Sequence, residues 1–239
     1  MKNAFIMGAS SGIGLEIARV LLEKGWTTCV AARREEPLKK LQKEYPNHVF
    51  TVKIDVTHPD ACSLLLDSIE CMGGMNLYLH VAGVGWQNPE LNAEREMATV
   101  DTNSMGFTRL VCCAFHYLAE HGGHIAVISS IAGTKGLGQA PAYSATKAFQ
   151  NTYIQALEQL AHQHCLPITF TDIRPGFVDT PLIENSNFPL KLNARYVAKK
   201  IAKAIEHRRH VVVIDGRYRL LVFFWKLIPN FLWRKMKIS

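Results

Sequence analysis

Short apolar runs alternate with longer amphipathic stretches along most of this 239-residue chain. The apolar runs are rich in β-branched residues, which is typical of strands buried on both faces of a sheet. Seven of them predict strands: Ala4–Met7, Thr27–Ala32, Val49–Ile54, Leu77–Val81, His124–Ser129, Ile168–Ile173 and Val211–Ile214. Helical spacing between them predicts six helices: Gly12–Lys24, Glu36–Glu44, Pro59–Met72, Glu96–Glu120, Tyr143–His162 and Asn193–His207. Such alternation predicts one doubly wound α/β domain, with a parallel sheet of about seven strands and helices on both faces.

A glycine-rich turn joins the first predicted strand to the first predicted helix. Glycine there allows main-chain amides to approach a pyrophosphate, and the helix N-terminus adds about half a positive charge. The residues of this turn that we assign to dinucleotide binding are Gly8, Ser10, Ser11, Gly12, Ile13 and Gly14. A tight turn without a ligand could use the same glycines. Their position directly after the first strand favours a Rossmann-like dinucleotide site.

The end of the second predicted strand bears on the choice of coenzyme. NAD-preferring sites place a carboxylate here for the ribose hydroxyls, whereas the 2′-phosphate of NADP requires a cation. Ala32 is not acidic, and Arg33 and Arg34 follow it. The sequence therefore favours NADP(H) over NAD(H). Glu35 and Glu36 come next, and they could instead neutralise the arginines at the start of a solvated helix.

Asp55 and Val56 directly follow the third predicted strand. At this edge of the sheet they could contact the adenine ring of a dinucleotide. Asp55 could equally cap the turn that leads to Thr57 and Pro59, and the sequence leaves both interpretations open.

Tyr143 and Lys147 stand four residues apart, so one helical turn places the phenol and the ammonium on the same face. A phenol has a pKa of about 10, and a nearby cation lowers it by favouring the phenolate. Reaching pH 7 requires about 3 units, or roughly 4 kcal/mol of differential stabilisation. We therefore expect Tyr143 to exchange a proton with an alcohol or carbonyl oxygen.

The glycine turn and the Tyr143/Lys147 pair belong to a series of motifs that follow one another along the chain. They are Gly8-x-x-x-Gly12-x-Gly14, Ala82-Gly83, Asn103, Ser129-Ser130, Tyr143-x-x-x-Lys147, and Pro175-Gly176 with Thr180. In this order and spacing, the chain resembles the short-chain dehydrogenase/reductase family from Lys2 to about Asp215.

The resemblance implies a role for each matching residue. It implies that Tyr143 is the general acid/base, that Lys147 lowers the pKa of Tyr143 and holds the nicotinamide ribose, and that Ser130 orients the substrate oxygen. Asn103 is expected to support a water-linked proton path to Lys147. Ser129 is a second candidate for the hydroxyl role, but its spacing from Tyr143 fits less well. The resemblance also assigns coenzyme contacts to Ala82, Gly83, Pro175, Gly176, Val178 and Thr180.

The chain departs from the family pattern at two points, which involve three residues. Met7 stands where the family has threonine, and His80 and Val81 stand where it has two asparagines. Those polar groups help to tie the first and fourth strands together. We therefore expect apolar packing at this junction.

Charge separates the last fifth of the chain from the rest. The net charge is +7, but residues 1–190 carry 14 basic and 18 acidic side chains, whereas residues 191–239 carry 13 basic and two acidic ones. We divide the chain into a catalytic domain, residues 1–216, and a basic, apolar C-terminal extension, residues 217–239. The extension could pack on a partner subunit or over the active-site entrance. It could also lie on an anionic membrane, with Trp225 and Trp233 at the interface.

Several other classes of protein are disfavoured. Six scattered cysteines without a Cys-x-x-Cys pair predict reduced thiols and no metal site. Nucleic-acid binding is not expected, because the aromatic residues are not spread over a basic face. The sequence shows no signal-peptide pattern and no apolar run of about 20 residues. We expect a cytoplasmic protein, with possible peripheral contact at the inner membrane surface.

The predicted function is hydride transfer between NADP(H) and an apolar carbonyl or alcohol. The substrate is expected to meet a wall formed by Gly85-Trp86, Gln139-Ala140-Pro141 and the stretch from Phe177 to Leu192. The last stretch could form a short apolar lid over the substrate, or it could be a surface loop that simply packs on the protein. One alternative is reduction of a 3-oxoacyl thioester on an acidic carrier protein, and another is a non-catalytic dinucleotide sensor.

An apolar stripe on the helix after Tyr143, together with the resemblance, predicts a homodimer or homotetramer. The stripe comprises Ala145, Phe149, Tyr153, Ala156 and Leu160.

Overall fold

A seven-stranded parallel sheet forms the centre of the computed structural model, which describes residues 2–183, 188 and 190–237. The strands are β1 Asn3–Met7, β2 Thr27–Ala32, β3 Val49–Lys53, β4 Leu77–His80, β5 Gly123–Ile128, β6 Ile168–Pro175, β7 Val178–Asp179, β8 Leu192–Asn193 and β9 Val211–Ile214. The main sheet has the order β3-β2-β1-β4-β5-β6-β9, and β7 pairs separately with β8. The predicted doubly wound α/β fold is confirmed.

Helices cover both faces of the sheet. They are α1 Gly12–Glu23, α2 Glu36–Glu44, α3 Ala61–Cys71, α4 Ala93–Val100, α5 Phe107–His121, α6 Pro141–Gln163, α7 Ala194–Glu206, α8 Gly216–Leu227 and α9 Asn230–Trp233. One apolar core joins the sheet to α1, α2, α7 and α8. A second core joins its opposite face to α3, α5 and α6.

The predicted continuous helix Glu96–Glu120 is wrong in one respect. A π-helical segment, Asp101–Gly106, separates α4 from α5. Asn103 lies within it and is fully buried. Gly106 follows so close to the turn after β3 that an added Cβ would lie 2.6 Å from the side chain of Val56. The π-helical turn, which is wider than an α-helical turn, thus places the polar side chain of Asn103 against the core without breaking the helix.

The C-terminal extension folds as α8 and α9, which lie against the loop that follows β5. Lys135 Nζ donates to the main-chain oxygen of Ile228 at 3.0 Å and to Asn230 Oδ1 at 2.6 Å. The indole of Trp233 donates to the main-chain oxygen of Gly136 at 2.7 Å. No helix in the described ranges is long and apolar enough to cross a membrane.

The order of the strands reverses between β1 and β4, which opens a crevice at their carboxyl ends. At this junction the main-chain amides of Val81 and Ala82 both donate to the carbonyl of Met7, at 2.8 and 2.9 Å. Met7 is buried, as apolar packing at this point would require. His80, however, remains polar: it shares a 2.9 Å hydrogen bond with the hydroxyl of Tyr78. Burial lowers the pKa of His80 to about 3.

Glycine is required where the turn after β1 meets its neighbours. Gly8 has a φ of +98°, and a Cβ there would lie 2.5 Å from the amide nitrogen of Ala82. Gly14, in the first turn of α1, also has no space for a side chain, because an added Cβ would lie 2.1 Å from the carbonyl oxygen of Gly8. The helix can therefore approach the strand only if position 14 has no side chain.

Substituting Gly14→Ala tests this close approach. Alanine is the better helix former, yet we expect the variant to lose about 1–3 kcal/mol of unfolding free energy through overpacking. Urea denaturation measures the change. Gly138→Ala is the matched control because a Cβ there meets nothing within 4 Å. Equal stabilities of the two variants would contradict the assigned contact.

Candidate active site

Four predicted catalytic residues converge near the carboxyl ends of β4 and β5. Ser130 follows β5, Tyr143 and Lys147 lie in the first two turns of α6, and Asn103 lies in the π-helical segment. They come from distant parts of the sequence, so the sheet and its crossover helices bring them together. The site therefore depends on the fold and not on one local motif.

The ring of Tyr143 packs against the main chain of Gly85, which has no side chain. An added Cβ on Gly85 would lie 2.4 Å from Cδ2 of the Tyr143 ring, so only glycine allows this contact. Burial raises the pKa of Tyr143, and a hydrogen bond with the hydroxyl of Ser130 opposes the rise. Ser130 and Tyr143 are thus neighbours, as their spacing predicted.

Lys147 holds a buried ammonium beside this phenol. Its Nζ lies 5.8 Å from the centroid of the Tyr143 ring. It donates to the main-chain oxygen of Ile128 and to Oε1 of Gln150, each at 2.9 Å. Burial lowers the pKa of Lys147 to about 8, against the opposing effect of Asp172. The ammonium is therefore easier to deprotonate than a lysine in water.

The predicted lowering of the pKa of Tyr143 is wrong for the protein alone. Desolvation of the phenol dominates, and the net direction is upward. The sequence argument counted the attraction of a nearby cation but not the loss of water around the phenolate. The protein by itself consequently keeps Tyr143 protonated, in the form that can donate to a carbonyl oxygen.

Asn103 uses its side chain to fix the segment after β4. Its Oδ1 accepts from the amide of Val84 at 2.9 Å, and its Nδ2 donates to the carbonyl of Val84 at 2.7 Å. Nδ2 also contacts the hydroxyl of Thr146 at 3.2 Å. The main-chain oxygen of Asn103 accepts from Nε2 of Gln150 at 2.8 Å. A glutamine side chain therefore links the main-chain oxygen of Asn103 to Nζ of Lys147.

The two adjacent serines have different surroundings. The hydroxyl of Ser129 is buried and donates to Asp172 and to the main-chain oxygen of Ile173. Ser130 accepts from the amide of Ala132 at 3.1 Å and interacts with Tyr143. The structure thus leaves Ser130 as the hydroxyl beside the phenol.

The glycine turn is arranged in a way that fits a phosphate-bearing dinucleotide. Nη2 of Arg34 lies 3.1 Å from Oγ of Ser10 and 2.9 Å from Oγ of Ser11. These groups stand just before the N-terminus of α1, so hydroxyls, a guanidinium and free helix amides share one small region. Such a set of donors suits an anion.

Asp55 has the capping role that the sequence left open. Its Oδ1 accepts from the amide of Thr57 at 3.0 Å and from the hydroxyl of Thr57 at 2.8 Å. Burial alone would raise the pKa of Asp55, but these hydrogen bonds and the nearby Arg33 lower it. The next residue, Val56, is buried and accepts from Arg109 Nη1 through its carbonyl at 2.6 Å.

The remaining predicted coenzyme residues lie around the same crevice. Thr180 approaches the glycine turn: a Cβ on Gly12 would lie 3.0 Å from Cγ2 of Thr180. A Cβ on Gly83 would lie 3.2 Å from Oδ1 of Asn103 and 3.7 Å from Nζ of Lys147. Ile13 is partly buried against the first apolar core, and Ala82 is partly buried against the second. Val178 is buried, and Pro175 is the last residue of β6. A Cβ on Gly176 would lie 2.2 Å from the ring of Tyr218.

Sequence reasoning missed the residue that fixes the start of α6. The carboxylate of Glu96 accepts from Nδ2 of Asn88 at 2.8 Å and from the amide of Ala142 at 2.9 Å. It thereby holds the helix terminus immediately before Tyr143. The signal was weak, because an acidic residue in an amphipathic helix is usually solvated. Only the tertiary contact between α4 and α6 reveals its role.

Two comparisons of sequence place the chain among known proteins. A profile of the family described as short chain dehydrogenase matches residues 2–189. A relative from Myxococcus xanthus, described as an uncharacterized oxidoreductase, is 33% identical over 196 residues, which cover 79% of this chain and 77% of the relative. The chain therefore belongs to the short-chain dehydrogenase family and is an oxidoreductase of that family.

Solved structures give the same fold. The actinorhodin polyketide ketoreductase, in a complex with NADPH, superposes with a TM-score of 0.79 at 26% identity, and the match covers 90% of this chain and 96% of that one. A short chain dehydrogenase from Burkholderia cenocepacia, in a complex with NADP, gives a TM-score of 0.80 at 21% identity and covers 96% and 100%. The second likeness concerns the fold alone.

Proposed function

We propose that this protein transfers hydride between NADP(H) and an apolar carbonyl or alcohol, with residues 1–216 as the catalytic domain. The observation that carries the proposal is the grouping of a protonated phenol, a hydroxyl and a buried ammonium at the crevice of a dinucleotide-binding fold. When bound, the nicotinamide supplies or accepts the hydride. Each protein residue then has a defined task at the substrate oxygen.

Tyr143 is the proposed general acid/base. In the reductive direction its hydroxyl gives a proton to the carbonyl oxygen as the carbon is reduced, and in the oxidative direction the phenolate takes that proton back. Ser130 donates a hydrogen bond to the same oxygen and so stabilises charge that develops there. Lys147 stabilises the phenolate left on Tyr143. A dinucleotide sensor would not need this set of groups, so we favour an enzyme.

The coenzyme is proposed to be NADP(H), with NAD(H) bound more weakly. Arg34 beside Ser10 and Ser11 would receive the 2′-phosphate, and Arg33 would add positive charge at the same edge. The pyrophosphate would meet the turn from Gly8 to Gly14. The nicotinamide end would meet residues 175–180, Gly83 and Lys147, and Asp55 and Val56 would border the adenine. The NADPH carried by the polyketide ketoreductase supports this choice.

The substrate is proposed to be apolar because the predicted wall contains accessible apolar groups. Trp86 is 41% exposed, and the rings of Phe177 and Phe188 stack at 4.0 Å. Leu182 and Leu190 are also exposed. The carbonyl of Gln139 accepts from the amide of Asn88 at 2.7 Å and fixes the second part of the wall. Residues 184–187 and 189 of the predicted wall lie outside the described residues.

We infer that the extension, residues 217–239, makes peripheral contact with the inner surface of an anionic membrane. On α8, Tyr218 and Val222 point inward and are buried. The opposite face carries exposed apolar side chains at positions i, i+3, i+4 and i+7: Leu220, Phe223, Phe224 and Leu227. A helix that presents such a face to water is suited to a lipid interface.

Charges flank this exposed face in the way an anionic surface requires. Arg219 and Lys226 lie along one side of the apolar row, as helical spacing dictates. Arg217 lies along the other side, where its guanidinium pairs with Asp215 at 2.9 Å. Long basic side chains can reach phosphate groups while the row between them enters the lipid. An acidic carrier protein would also attract the cations, but it gives no reason for four large apolar side chains in a row. We therefore favour the membrane over the carrier-linked alternative.

The interface residues differ from those the sequence suggested. Trp233 is only 8% exposed, donates to Gly136, and packs edge-to-face on Trp225 at 5.4 Å. It cannot lie at a lipid interface without unpacking, so its predicted role there is wrong. The apolar row on α8 takes that role in our proposal.

The proposed assembly is a homodimer or homotetramer built on α5 and α6. Phe149 is 40% and Leu160 is 38% exposed, and Ala145 and Ala156 lie on the same outward stripe. Burial of this stripe against a second copy would remove apolar surface from water. The stripe lies on the helix that carries Tyr143, so association would also brace the catalytic helix.

Substituting Tyr143→Phe tests the proposed acid. We expect turnover of a ketone substrate to fall at least about 100-fold, because general acid catalysis contributes that much or more. NADPH affinity, followed by fluorescence titration, should stay nearly the same. Tyr153→Phe is the control, because Tyr153 lies further along α6 and its hydroxyl forms a hydrogen bond with Cys112 on α5. Turnover retained by Tyr143→Phe would refute the assignment.

Substituting Arg34→Ala tests the choice of coenzyme. Loss of a hydrogen-bonded cation should raise the dissociation constant for NADPH about tenfold to hundredfold. The constant for NADH should change little, and Arg33→Ala should act in the same direction. Arg19→Ala, on the outer face of α1, should leave both constants unchanged. An equal loss for the two coenzymes would argue against a phosphate contact.

Vesicle flotation tests the membrane contact. The unmodified protein should float with vesicles of phosphatidylglycerol and phosphatidylcholine in equal parts, and much less with pure phosphatidylcholine. The double variant Phe223→Gln with Leu227→Gln should lose binding, because each buried apolar side chain contributes about 1.5–3 kcal/mol. Leu66→Gln, at an exposed position on α3, should float like the unmodified protein. If the protein stays unbound at every lipid composition, the contact is disproved.

A further inference from the structure

Gln150 is a buried residue of α6 that neither the sequence motifs nor the family resemblance single out. Its side chain is completely shielded from solvent. Both ends of its carboxamide are engaged: Oε1 accepts from Nζ of Lys147 at 2.9 Å, and Nε2 donates to the carbonyl of Asn103 at 2.8 Å. A buried amide with both ends bonded is fixed in orientation, because reversing it would leave two unmatched pairs.

We propose that Gln150 is a positioning residue that holds the ammonium of Lys147 toward Tyr143 and occupies the link between Lys147 and Asn103. This inference rests on the proposed function, since it concerns how Lys147 serves the acid. One carboxamide joins the two groups directly, through contacts of 2.9 Å to Nζ of Lys147 and 2.8 Å to the main-chain oxygen of Asn103. The link to Asn103 is therefore part of the protein.

The hydrogen bonds of Lys147 determine where its last proton points. An ammonium has three N–H groups. The carbonyl of Ile128 takes one and Oε1 of Gln150 takes another. Within the described residues no other acceptor bonds to Nζ, so the third N–H is left for the side on which the ring of Tyr143 lies. Without Gln150, the flexible lysine chain would have only one fixed acceptor and could turn away from the phenol.

The charged and titratable groups around Lys147 make a neutral acceptor significant. His80 of β4 and Asp172 of β6 both interact electrostatically with the ammonium, and Tyr143 lies on its own helix. Gln150 completes this environment without adding charge. A carboxylate at position 150 would pair with the ammonium, whereas an apolar side chain would leave it with one acceptor fewer.

Two substitutions at position 150 test the proposal through the pH dependence of kcat. The alkaline limb of the wild-type profile should report loss of the charged lysine. Gln150→Leu removes an acceptor for the charge, so the limb should move down by about one pH unit. Gln150→Glu supplies a negative acceptor, so the limb should move up by at least about one unit.

The controls separate positioning from folding. Gln155→Leu, at an exposed position on the same helix, should keep the wild-type limb. Thermal melts show whether each variant folds, and Gln150→Glu retains the acceptor for Lys147 if the leucine variant is too unstable. If the alkaline limb of the kcat–pH profile lies at the same pH in the wild type and in a folded position-150 variant, the proposal is overturned, even if kcat itself falls.

A second readout does not depend on turnover. The Lys147 side-chain signals of isotopically labelled protein can be titrated by NMR, with Lys147→Arg used for assignment. We expect the titration midpoint to move down in Gln150→Leu and up in Gln150→Glu. If the midpoint moves but no carbonyl is ever reduced, the proposed function fails and the role of Gln150 stands. If turnover is robust but the midpoint stays fixed, the role of Gln150 is refuted and the function stands.

Discussion

The buried ammonium of Lys147 is the constraint around which the site is organised. An ammonium removed from water must be met by acceptors, or it loses its charge. The carbonyl of Ile128 at the end of β5 meets it from the sheet, and Gln150 meets it from its own helix. Gln150 in turn requires the carbonyl of Asn103, which the π-helical segment provides. One charge thus connects the sheet, the catalytic helix and the crossover helix.

This connection shows how the proposed catalytic residues are held together although they are far apart in sequence. The ring of Tyr143 packs on one side against the main chain of Gly85, and Glu96 holds the start of its helix through the amide of Ala142. Asn103 fixes the segment after β4 through both ends of its side chain. These contacts position the phenol, and under the proposed function they would favour proton transfer because little rearrangement is then required.

The sequence predicts the sheet well because buried parallel strands leave a strong apolar signal, and the bounds of all seven strands agree within about two residues. The pairing of Tyr143 with Lys147 was also readable from helical spacing. Several other features of the site were not readable from the sequence. The π-helical segment brings Gly106 close to Val56, the proposed role of Gln150 depends on its contact with Asn103 in another part of the sequence, and the direction of the pKa shift of Tyr143 depends on desolvation. Each is a tertiary effect that local periodicity does not encode.

The extension is joined to the core more intimately than its position at the end of the chain suggests. The ring of Tyr218 fills the space that a side chain at Gly176 would occupy, and Lys135 binds both Ile228 and Asn230. Shortening the protein before α8 would therefore uncover the strand end at Gly176 and release the loop after Ser130. Loss of activity in a truncated protein could then reflect damage to the proposed catalytic centre as well as the absence of a surface helix. Exchanges of single outward-facing side chains are the sound way to separate these two effects.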